Sequence, residues 1–234
     1  MFRTLVINLL QRVARPVALR LARDIELMQV VRAGTSSADF AIDNLAKATI
    51  VRGRDSLLLE ALKHAKGDGL VCEFGVYKGH TLNIIAKAMT ADVVYGFDSF
   101  EGLPEAWRNG FDKGKFKVEA VGLPTFPENV KLYSGWFDAT LPRLLSDDDR
   151  QAMFLHIDCD LYSSTKCIFE LLAKRLRPGT VIVFDEYFNF PGWKNYEHRA
   201  LIEAAHSFGF TYDYILYNPL GQQVAIVVTR INGS

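Results

Sequence analysis

The pattern of apolar and polar positions changes near residue 69. From there on, short apolar runs alternate with stretches whose apolar residues recur at helical spacing. The predicted strands have the sequences GLVCEFG, DVVYGFD, VKLYSG, AMFLHIDCD, TVIVFDE, YDYILY and QQVAIVV. Runs this apolar, separated by amphipathic helices, are typical of a parallel sheet that is buried on both faces. The pattern therefore predicts a doubly wound α/β domain of the Rossmann-like kind.

The end of the chain breaks this alternation of strands and helices. Only residues 218–222 separate the last two predicted strands, and this is too short for a crossover helix. The two strands must form a hairpin, so one of them runs antiparallel to its neighbours. We expect a mostly parallel seven-stranded sheet with an antiparallel C-terminal hairpin strand.

Helical stretches precede this domain. Residues 54–65 have leucines and alanines at helical spacing, and the basic stretch with Leu5, Leu9 and Val13 shares that period. We therefore predict a helical N-terminal preface over residues 1–65 and the α/β domain over residues 66–234. An apolar face of a helix is normally buried against another surface. We therefore expect the preface to pack against the rest of the fold or to mediate homo-oligomerisation. Peripheral contact of the basic N-terminal helix with a membrane is the less favoured alternative.

Composition and charge narrow the class of protein. The 234 residues include 27 basic and 27 acidic side chains, so no net field attracts nucleic acid. The three cysteines have neither CxxC nor zinc-ligand spacing, which indicates reduced thiols in a reducing compartment. Near the N-terminus, the apolar run within residues 4–10 is too short for a signal-peptide core or a membrane span. We expect a cytoplasmic protein that does not bind nucleic acid.

A glycine-containing turn follows the first predicted strand of the domain. Gly75 and Gly79 allow a tight turn and a close approach of the backbone to a ligand, with Val76 and Tyr77 between them. Glu73, just ahead of the turn, can pair with an ammonium group. Such a turn is also ordinary structure between a strand and a helix, so both interpretations stay open at this point.

A second acid favours a ligand-binding role for the turn. Asp98 ends the second predicted strand, 25 positions after Glu73, where a carboxylate can accept both hydroxyls of a ribose. Ser99 follows directly, and Gly135 with Trp136 comes after the third strand. Trp136 offers an aromatic face for adenine, although it also fits a core position. The combination predicts nucleoside binding.

Four carboxylates follow the fourth and fifth predicted strands, namely Asp158, Asp160, Asp185 and Glu186. The carboxyl ends of central strands face the ligand crevice of an open α/β sheet, so we expect these acids to converge. Carboxylates in one cleft repel each other unless a cation or a proton lies between them. Oxygen ligands without cysteine or clustered histidine favour Mg²⁺, Mn²⁺ or Ca²⁺ over Zn²⁺. The alternative is that each acid caps a helix or pairs with a lysine.

These motifs occur in the order of a known family. The sequences DSFEGLP, GWFDATLP, HIDCDLYSST and RPGTVIVFDEY together resemble the macrocin and mycinamicin sugar O-methyltransferases. That family belongs to the class I S-adenosylmethionine (SAM)-dependent methyltransferases, whose sheet also ends in a β-hairpin. The resemblance covers about residues 70–228. The family usually has two aspartates where this chain has Asp185 and Glu186.

The resemblance implies a role for each candidate residue. It implies that Glu73, Gly75 and Asp98 bind SAM, and the complete candidate set for the cofactor is Glu73, Gly75, Val76, Tyr77, Gly79, Asp98, Ser99, Gly135 and Trp136. It further implies that Asp158, Asp185 and Glu186 bind a divalent metal, Mg²⁺ or another divalent cation. The second aspartate of the DxD motif, Asp160, becomes the candidate general base.

The sequence thus predicts a SAM-dependent methyltransferase that methylates a hydroxyl of a sugar or another small molecule with the help of a divalent metal. Two alternatives stay open. One is a metal-independent N- or O-methyltransferase whose acids bind a cationic or polar acceptor. The other is a non-catalytic SAM-binding module. The rings of Trp107, Phe111, Phe188, Phe190 and Trp193 fit many kinds of pocket, so the sequence does not identify the acceptor.

Overall fold

Eight strands form one sheet in the computed structural model, which describes residue 14 and residues 16–119 and 125–232. The strand order is β1-β7-β8-β6-β5-β2-β3-β4. The strands are β1 (Thr49–Ile50), β2 (Leu70–Phe74), β3 (Val94–Asp98), β4 (Val130–Ser134), β5 (Ala152–Ile157), β6 (Val181–Phe184), β7 (Phe210–Tyr217) and β8 (Val224–Ile231). All neighbours pair in parallel except β8, which is antiparallel to both β6 and β7.

Helices connect most of the strands, although the described residues between β3 and β4 and between β7 and β8 contain none. The helices are α1 (Ile25–Asn44), α2 (Arg54–Leu62), α3 (His80–Ala88), α4 (Phe137–Asp147), α5 (Tyr162–Leu172) and α6 (Glu197–Phe208). Residues 16–21 are also helical, and two 3₁₀ turns cover Ala173–Arg175 and Trp193–Asn195. The helix predicted over residues 54–65 is therefore present, although it ends at Leu62, and helices also lie between most of the strands of the α/β domain.

The sheet is buried on both faces. All side chains of β2, β5 and β6 are buried. Along β2, Cys72 and Phe74 join one hydrophobic cluster, whereas Val71 joins a second cluster. Successive side chains of a strand point to opposite faces, so the two clusters lie on the two sides of the sheet. This arrangement confirms the doubly wound, mostly parallel sheet with a C-terminal hairpin.

The sheet has one strand more than the seven predicted. The two-residue strand β1 lies within the predicted helical preface and pairs in parallel with Leu216 and Tyr217 at the edge of the sheet. A strand this short has no detectable period-two pattern, so the sequence did not indicate it. Three leucines of α2, Leu57, Leu58 and Leu62, are buried in the second cluster, so this part of the preface contributes directly to the core.

Helix α1 attaches to the rest of the fold near its C-terminal end. The ring of Phe40 packs against the rings of Trp193 and His198, and the Ser37 hydroxyl oxygen accepts the backbone N–H of Asn189 at 2.8 Å. Large apolar side chains nearer the start of the helix are exposed. Leu5, Leu9 and Val13 lie outside the described residues. None of the helices that the structure describes is long and apolar enough to cross a membrane.

Candidate functional site

A cleft of about 630 Å³ opens at the carboxyl ends of the parallel strands. Both groups of predicted site residues contribute to it. Those that line the cleft are Gly75, Tyr77, Asp98, Ser99, Trp136, Asp158, Asp160, Asp185 and Glu186. The structure therefore places the predicted nucleoside end and the acidic end in one continuous cavity, as expected for the crevice of an open α/β sheet.

The glycine turn lies directly against the end of β5. Gly75 has a φ of +96°, and a β-carbon at this position would lie 1.8 Å from the carbonyl oxygen of Asp158. No side chain fits at this approach, so only glycine is possible. Gly79 has a φ of +75° and precedes α3 as its N-cap. The turn thus joins the nucleoside end of the cleft to the acidic end.

The Asp98 carboxylate holds this turn in place. One carboxylate oxygen accepts the backbone N–H groups of Val76 and Tyr77 at 2.8 and 2.7 Å, and the other accepts the N–H of Phe100 at 2.7 Å. An ionised carboxylate has about four acceptor positions, so a part of its capacity is free for a ligand. Sequence reasoning predicted the ligand role of Asp98 but not its link to the turn.

Four of the predicted cofactor residues do not line the cleft. Val76 and Gly79 contribute through the backbone of the turn, as described above. Gly135 donates its N–H to the carbonyl oxygen of Asp98 at 2.9 Å and has a φ of +135°. This hydrogen bond of Gly135 therefore fixes the ends of β3 and β4 relative to each other.

Glu73 is the fourth residue outside the cleft. It is fully buried, and its Oε1 lies 2.8 Å from Nδ1 of the buried His156. Its Oε2 has no hydrogen-bond partner among the described residues. The sequence places Glu73 at a strand end but gives no sign of His156, which belongs to the neighbouring strand β5. Its pairing with a cofactor ammonium group stays a prediction.

The acids at the ends of β5 and β6 converge as expected. Asp158, Asp185 and Glu186 each offer a carboxylate oxygen, and these three oxygens lie within 4.8 Å of one another. Burial, followed by the charge of Asp185, raises the pKa of both Asp158 and Glu186 well above the ordinary range. The raised pKa values express the mutual repulsion of carboxylates in a cleft with little water.

An arginine that the sequence did not indicate lies among these acids. Arg54, the first residue of α2, donates from Nε to Oδ1 of Asp185 at 2.7 Å and from Nη2 to Oδ2 of Asp158. The acids are thus neither helix caps nor lysine partners. Arg54 is 104 and 131 residues away from these partners along the chain. No local pattern could have shown this contact.

Asp160 has an unusual backbone and a buried side chain. Its φ is +63°, in the left-handed region that residues other than glycine rarely adopt, and its exposed fraction is 7%. Burial raises the pKa of Asp160 to about 7, against the opposing effect of the Arg108 charge. A strained residue in a cleft is a recurrent feature of functional sites. A carboxyl group with such a pKa can exchange a proton near neutral pH.

A second layer of charged groups lies behind the cleft. The Arg108 guanidinium stacks over the rings of Trp107 and Phe190 at 3.8 and 4.8 Å. Glu197, which is fully buried, accepts the backbone N–H of Glu186 at 3.1 Å. Neither Oε1 of Glu197 nor Oε2 of Glu186 has a hydrogen-bond partner in the described part of the chain. Sequence reasoning missed Glu197, which looks like an ordinary acid in the first turn of α6.

Comparison with known proteins finds a family model that matches part of this chain. The model is described as "Methyltransferase domain" and matches residues 72–187. This segment contains the glycine turn, Asp98 and the acids at the ends of β5 and β6. The sequence is thus similar to methyltransferase domains over just under half of its length.

Two curated relatives share part of their sequence with this chain. The first is 8-demethyl-8-(2,3-dimethoxy-alpha-L-rhamnosyl)-tetracenomycin-C 4'-O-methyltransferase of Streptomyces olivaceus, 29% identical over 170 residues, which are 65% of this chain and 56% of the relative. The second is demethyldecarbamoylnovobiocin O-methyltransferase of Streptomyces niveus, 26% identical over 161 residues, which are 58% of this chain and 60% of the relative. The matches thus span little more than half the length of either relative.

Solved structures show the same fold. The calicheamicin methyltransferase CalS11 matches with a TM-score of 0.59 at 20% identity, over 87% of this chain and 93% of the other. The O-methyltransferase NovP matches with a TM-score of 0.57 at 24% identity, over 74% of this chain and 77% of the other. The Rossmann-like fold predicted from the sequence is therefore confirmed.

Proposed function

We propose that this chain, whose residues 72–187 match a family model described as a methyltransferase domain, is a SAM-dependent, metal-assisted O-methyltransferase of the macrocin and mycinamicin type. Its acceptor would be a hydroxyl on a natural-product sugar or a related small molecule. One observation carries the proposal. A nucleoside-type end, built by Asp98 and the Gly75 turn, and an acidic end, built by Asp158 and Asp185, share a single cleft. Methyl transfer needs a cofactor and an acceptor side by side in this way.

The names of the relatives support this class of acceptor. Both are called O-methyltransferases, and the name of the first includes a rhamnosyl group. For the present chain we propose a hydroxyl acceptor, methyl transfer as the activity and a cytoplasmic location.

Residues at the nucleoside end fit SAM. The Asp98 carboxylate, oriented by the Val76 and Tyr77 amides, would accept the ribose hydroxyls with its remaining lone pairs. The Trp136 ring lines the cleft and is 39% exposed, so it presents an aromatic face for adenine. When bound, SAM supplies an electrophilic methyl group, so the task of the chain is to position the acceptor oxygen.

Residues at the acidic end fit a divalent cation. Asp158, Asp185 and Glu186 offer oxygen ligands only, which suits Mg²⁺. Oε2 of Glu186 is buried and lacks a hydrogen-bond partner among the described residues, so it can serve as a ligand without losing an existing contact. A cation held there would lower the pKa of an acceptor hydroxyl.

Charge in this region also favours a cation. Five carboxyl groups lie close together there, and among the described residues the guanidinium groups of Arg54 and Arg108 contribute positive charge to them. The five are Asp158, Asp160, Asp185, Glu186 and Glu197. A divalent ion would offset most of the excess negative charge.

Asp160 is the base in this proposal. It lines the cleft two residues after Asp158, and its backbone lies in the left-handed region. In the proposed reaction, its carboxylate would take the proton of the acceptor hydroxyl and so make the acceptor oxygen nucleophilic. Burial of Asp160 keeps competing water away from this position.

The test is an acceptor screen. The full chain is incubated with SAM, Mg²⁺ and a set of glycosylated and phenolic compounds, with and without a chelator, and products are detected by mass spectrometry. With a hydroxylated acceptor, the proposal expects a product in which a methyl group has replaced the hydroxyl hydrogen, heavier than the acceptor by one CH₂ group. This product should be lost in chelator. Methylation of amines alone would exclude O-methyl transfer.

A metal-independent methyltransferase is the second candidate, and one observation favours it. Arg54 already bridges Asp158 and Asp185, so these two acids have a cation from the chain itself. In that case, the yield of methylated product would not change when the chelator is added.

A further inference from the structure

We infer that Arg54 is a built-in competitor for the divalent cation. Its guanidinium holds the position between Asp158 and Asp185 while the metal is absent, and metal binding displaces it. This inference rests on the metal site of the proposed function. It concerns the contacts of one arginine in the N-terminal part of the chain, outside the segment that matches the methyltransferase family model.

The first observation is that Arg54 uses the same side chains as the metal. Asp158 and Asp185 are two of the three carboxylates whose oxygens converge, and Arg54 donates one hydrogen bond to each of them. Glu186, the third, receives no hydrogen bond from Arg54. A guanidinium and a divalent ion on the same two carboxylates would repel each other strongly in a cleft of low dielectric constant. Both cations cannot keep their full contacts at once.

The second observation is that a rigid element delivers Arg54 to this position. Its helix α2 buries Leu57 and Leu58 completely or almost completely in the core. The helix begins after Gly53, whose φ is +96°, and Asp55 lies 2.8 Å from Nε2 of His80 at the start of α3. The backbone of Arg54 is therefore fixed, and only its side chain can move.

The third observation is that this side chain has room to leave. It is 39% exposed, whereas that of Asp185 is 6% exposed. An arginine keeps its charge at every pH that the protein tolerates, so it cannot give up the site by deprotonation. It must move out towards solvent when a metal arrives. The apparent metal affinity of the wild-type chain is then lower than the acids alone would provide.

The experiment compares metal binding by the wild-type chain, Arg54→Met and Arg52→Met. Arg52 is a suitable control because it is exposed, lies two residues earlier and undergoes the same change of charge and shape. Each metal-stripped full chain is titrated with Mn²⁺ in a calorimeter at pH 8, without SAM or acceptor. Thermal unfolding is followed in parallel, with a chelator and with Mn²⁺.

We expect Arg54→Met to bind Mn²⁺ roughly tenfold more tightly or better, because two charged hydrogen bonds no longer compete. Arg52→Met should bind within about twofold of the wild type, since it touches none of these acids. In chelator, Arg54→Met should melt at a lower temperature than the wild type, because its acids have lost their counter-charge. Its gain in melting temperature with Mn²⁺ should be larger.

Equal or weaker Mn²⁺ binding by Arg54→Met overturns the inference, because the arginine would then be neutral to the metal or support it. If neither the wild type nor Arg54→Met binds Mn²⁺, the metal part of the proposed function fails as well. If only the wild type binds, the inference alone fails. Should Arg54→Met not fold, Arg54→Lys permits the same comparison, because a point charge cannot bridge both carboxylates with a planar fork. The inference expects Arg54→Lys to bind Mn²⁺ more tightly than the wild type.

Discussion

The backbone of Gly75 lies so close to Asp158 that a β-carbon on Gly75 would be only 1.8 Å from the carbonyl oxygen of Asp158. This contact brings the first residue of the glycine turn against the first residue after β5. The cofactor end and the acidic end of the cleft therefore depend on one close approach between two backbones. A change at Gly75 should disturb both ends together.

Gly75→Ala tests this relationship. We expect it to lower the free energy of unfolding by about 2–4 kcal/mol, because it adds a collision with backbone to the strain of a positive φ. SAM binding should be lost. Gly179→Ala is the matched control, since Gly179 has a φ of +94° and nothing within 4 Å of its β-carbon position. Denaturant titration should show a loss of only about 1–2 kcal/mol for the control. Equal losses for the two variants would contradict the close approach.

Asp98→Ala should weaken SAM binding by about 30- to 1000-fold, which corresponds to about 2–4 kcal/mol for lost charged hydrogen bonds. The variant also removes the acceptor for the Val76 and Tyr77 amides, so the turn should become more mobile. Calorimetric titration with SAM measures the affinity, and circular dichroism checks the fold. Asp213→Ala, an exposed acid on β7, is the control. Wild-type SAM affinity in Asp98→Ala would remove the nucleoside assignment.

Asp160→Asn should separate chemistry from binding. We expect SAM and metal affinities near those of the wild type and a turnover lowered by about 10²–10⁴-fold, the usual range for loss of a general base. Asparagine tolerates the left-handed backbone region, so the substitution should leave the φ of +63° intact. Single-turnover assays measure the chemical step. Normal turnover, or a defect confined to metal binding, would make Asp160 a ligand or a structural acid.

The protonation state of Asp160 should determine how turnover depends on pH. The pKa of Asp160 is raised to about 7, so its carboxyl group is protonated and inactive below that pH and becomes a base above it. Turnover of the wild type should therefore rise with pH and level off, with a midpoint at or below about 7, because a bound cation favours the ionised form. Asp160→Asn should lack this inflection and recover part of its activity at higher pH, where the acceptor hydroxyl ionises without a base.

The exposed apolar side chains of helix α1 favour a homo-oligomer. Ile25 and Val30 are 73% and 56% exposed, and a second copy of the chain would cover them. Val30→Glu should therefore reduce the mass measured by analytical ultracentrifugation, while SAM affinity stays unchanged. Leu220→Glu, at an exposed loop residue, should leave the mass unaltered. If the wild type sediments as a monomer and binds anionic vesicles through this region, the membrane alternative is favoured instead.

The strands and the acids at their ends could be predicted because both depend on local pattern. Each buried strand appears as an apolar run, and the sheet topology then brings Asp158 and Asp185 to the same edge. Arg54 and Glu197 could not be predicted in this way. Arg54 reaches its partners across 104 and 131 residues of chain, and only tertiary packing of α2 determines that distance.

Glu73 shows the same limit of sequence reasoning. Its position at the end of β2 is visible in the sequence, but the direction of its side chain depends on His156 in the adjacent strand. The partner of a buried acid in a parallel sheet comes from another segment of the chain, so it cannot be read from local spacing. The backbone strain at Asp160 is equally invisible in the sequence, since a DxD motif does not specify φ.

Transfer of an isotopically labelled methyl group tests the central claim most directly. The full chain is supplied with SAM labelled with ¹³C in its methyl group and with the acceptor found in the screen, and the product is examined by NMR, with chelator and after Mg²⁺ is added back. We expect a labelled methyl group on a hydroxyl oxygen, lost in chelator and restored by Mg²⁺. Label on nitrogen or carbon, or full transfer in chelator, would contradict metal-assisted O-methylation.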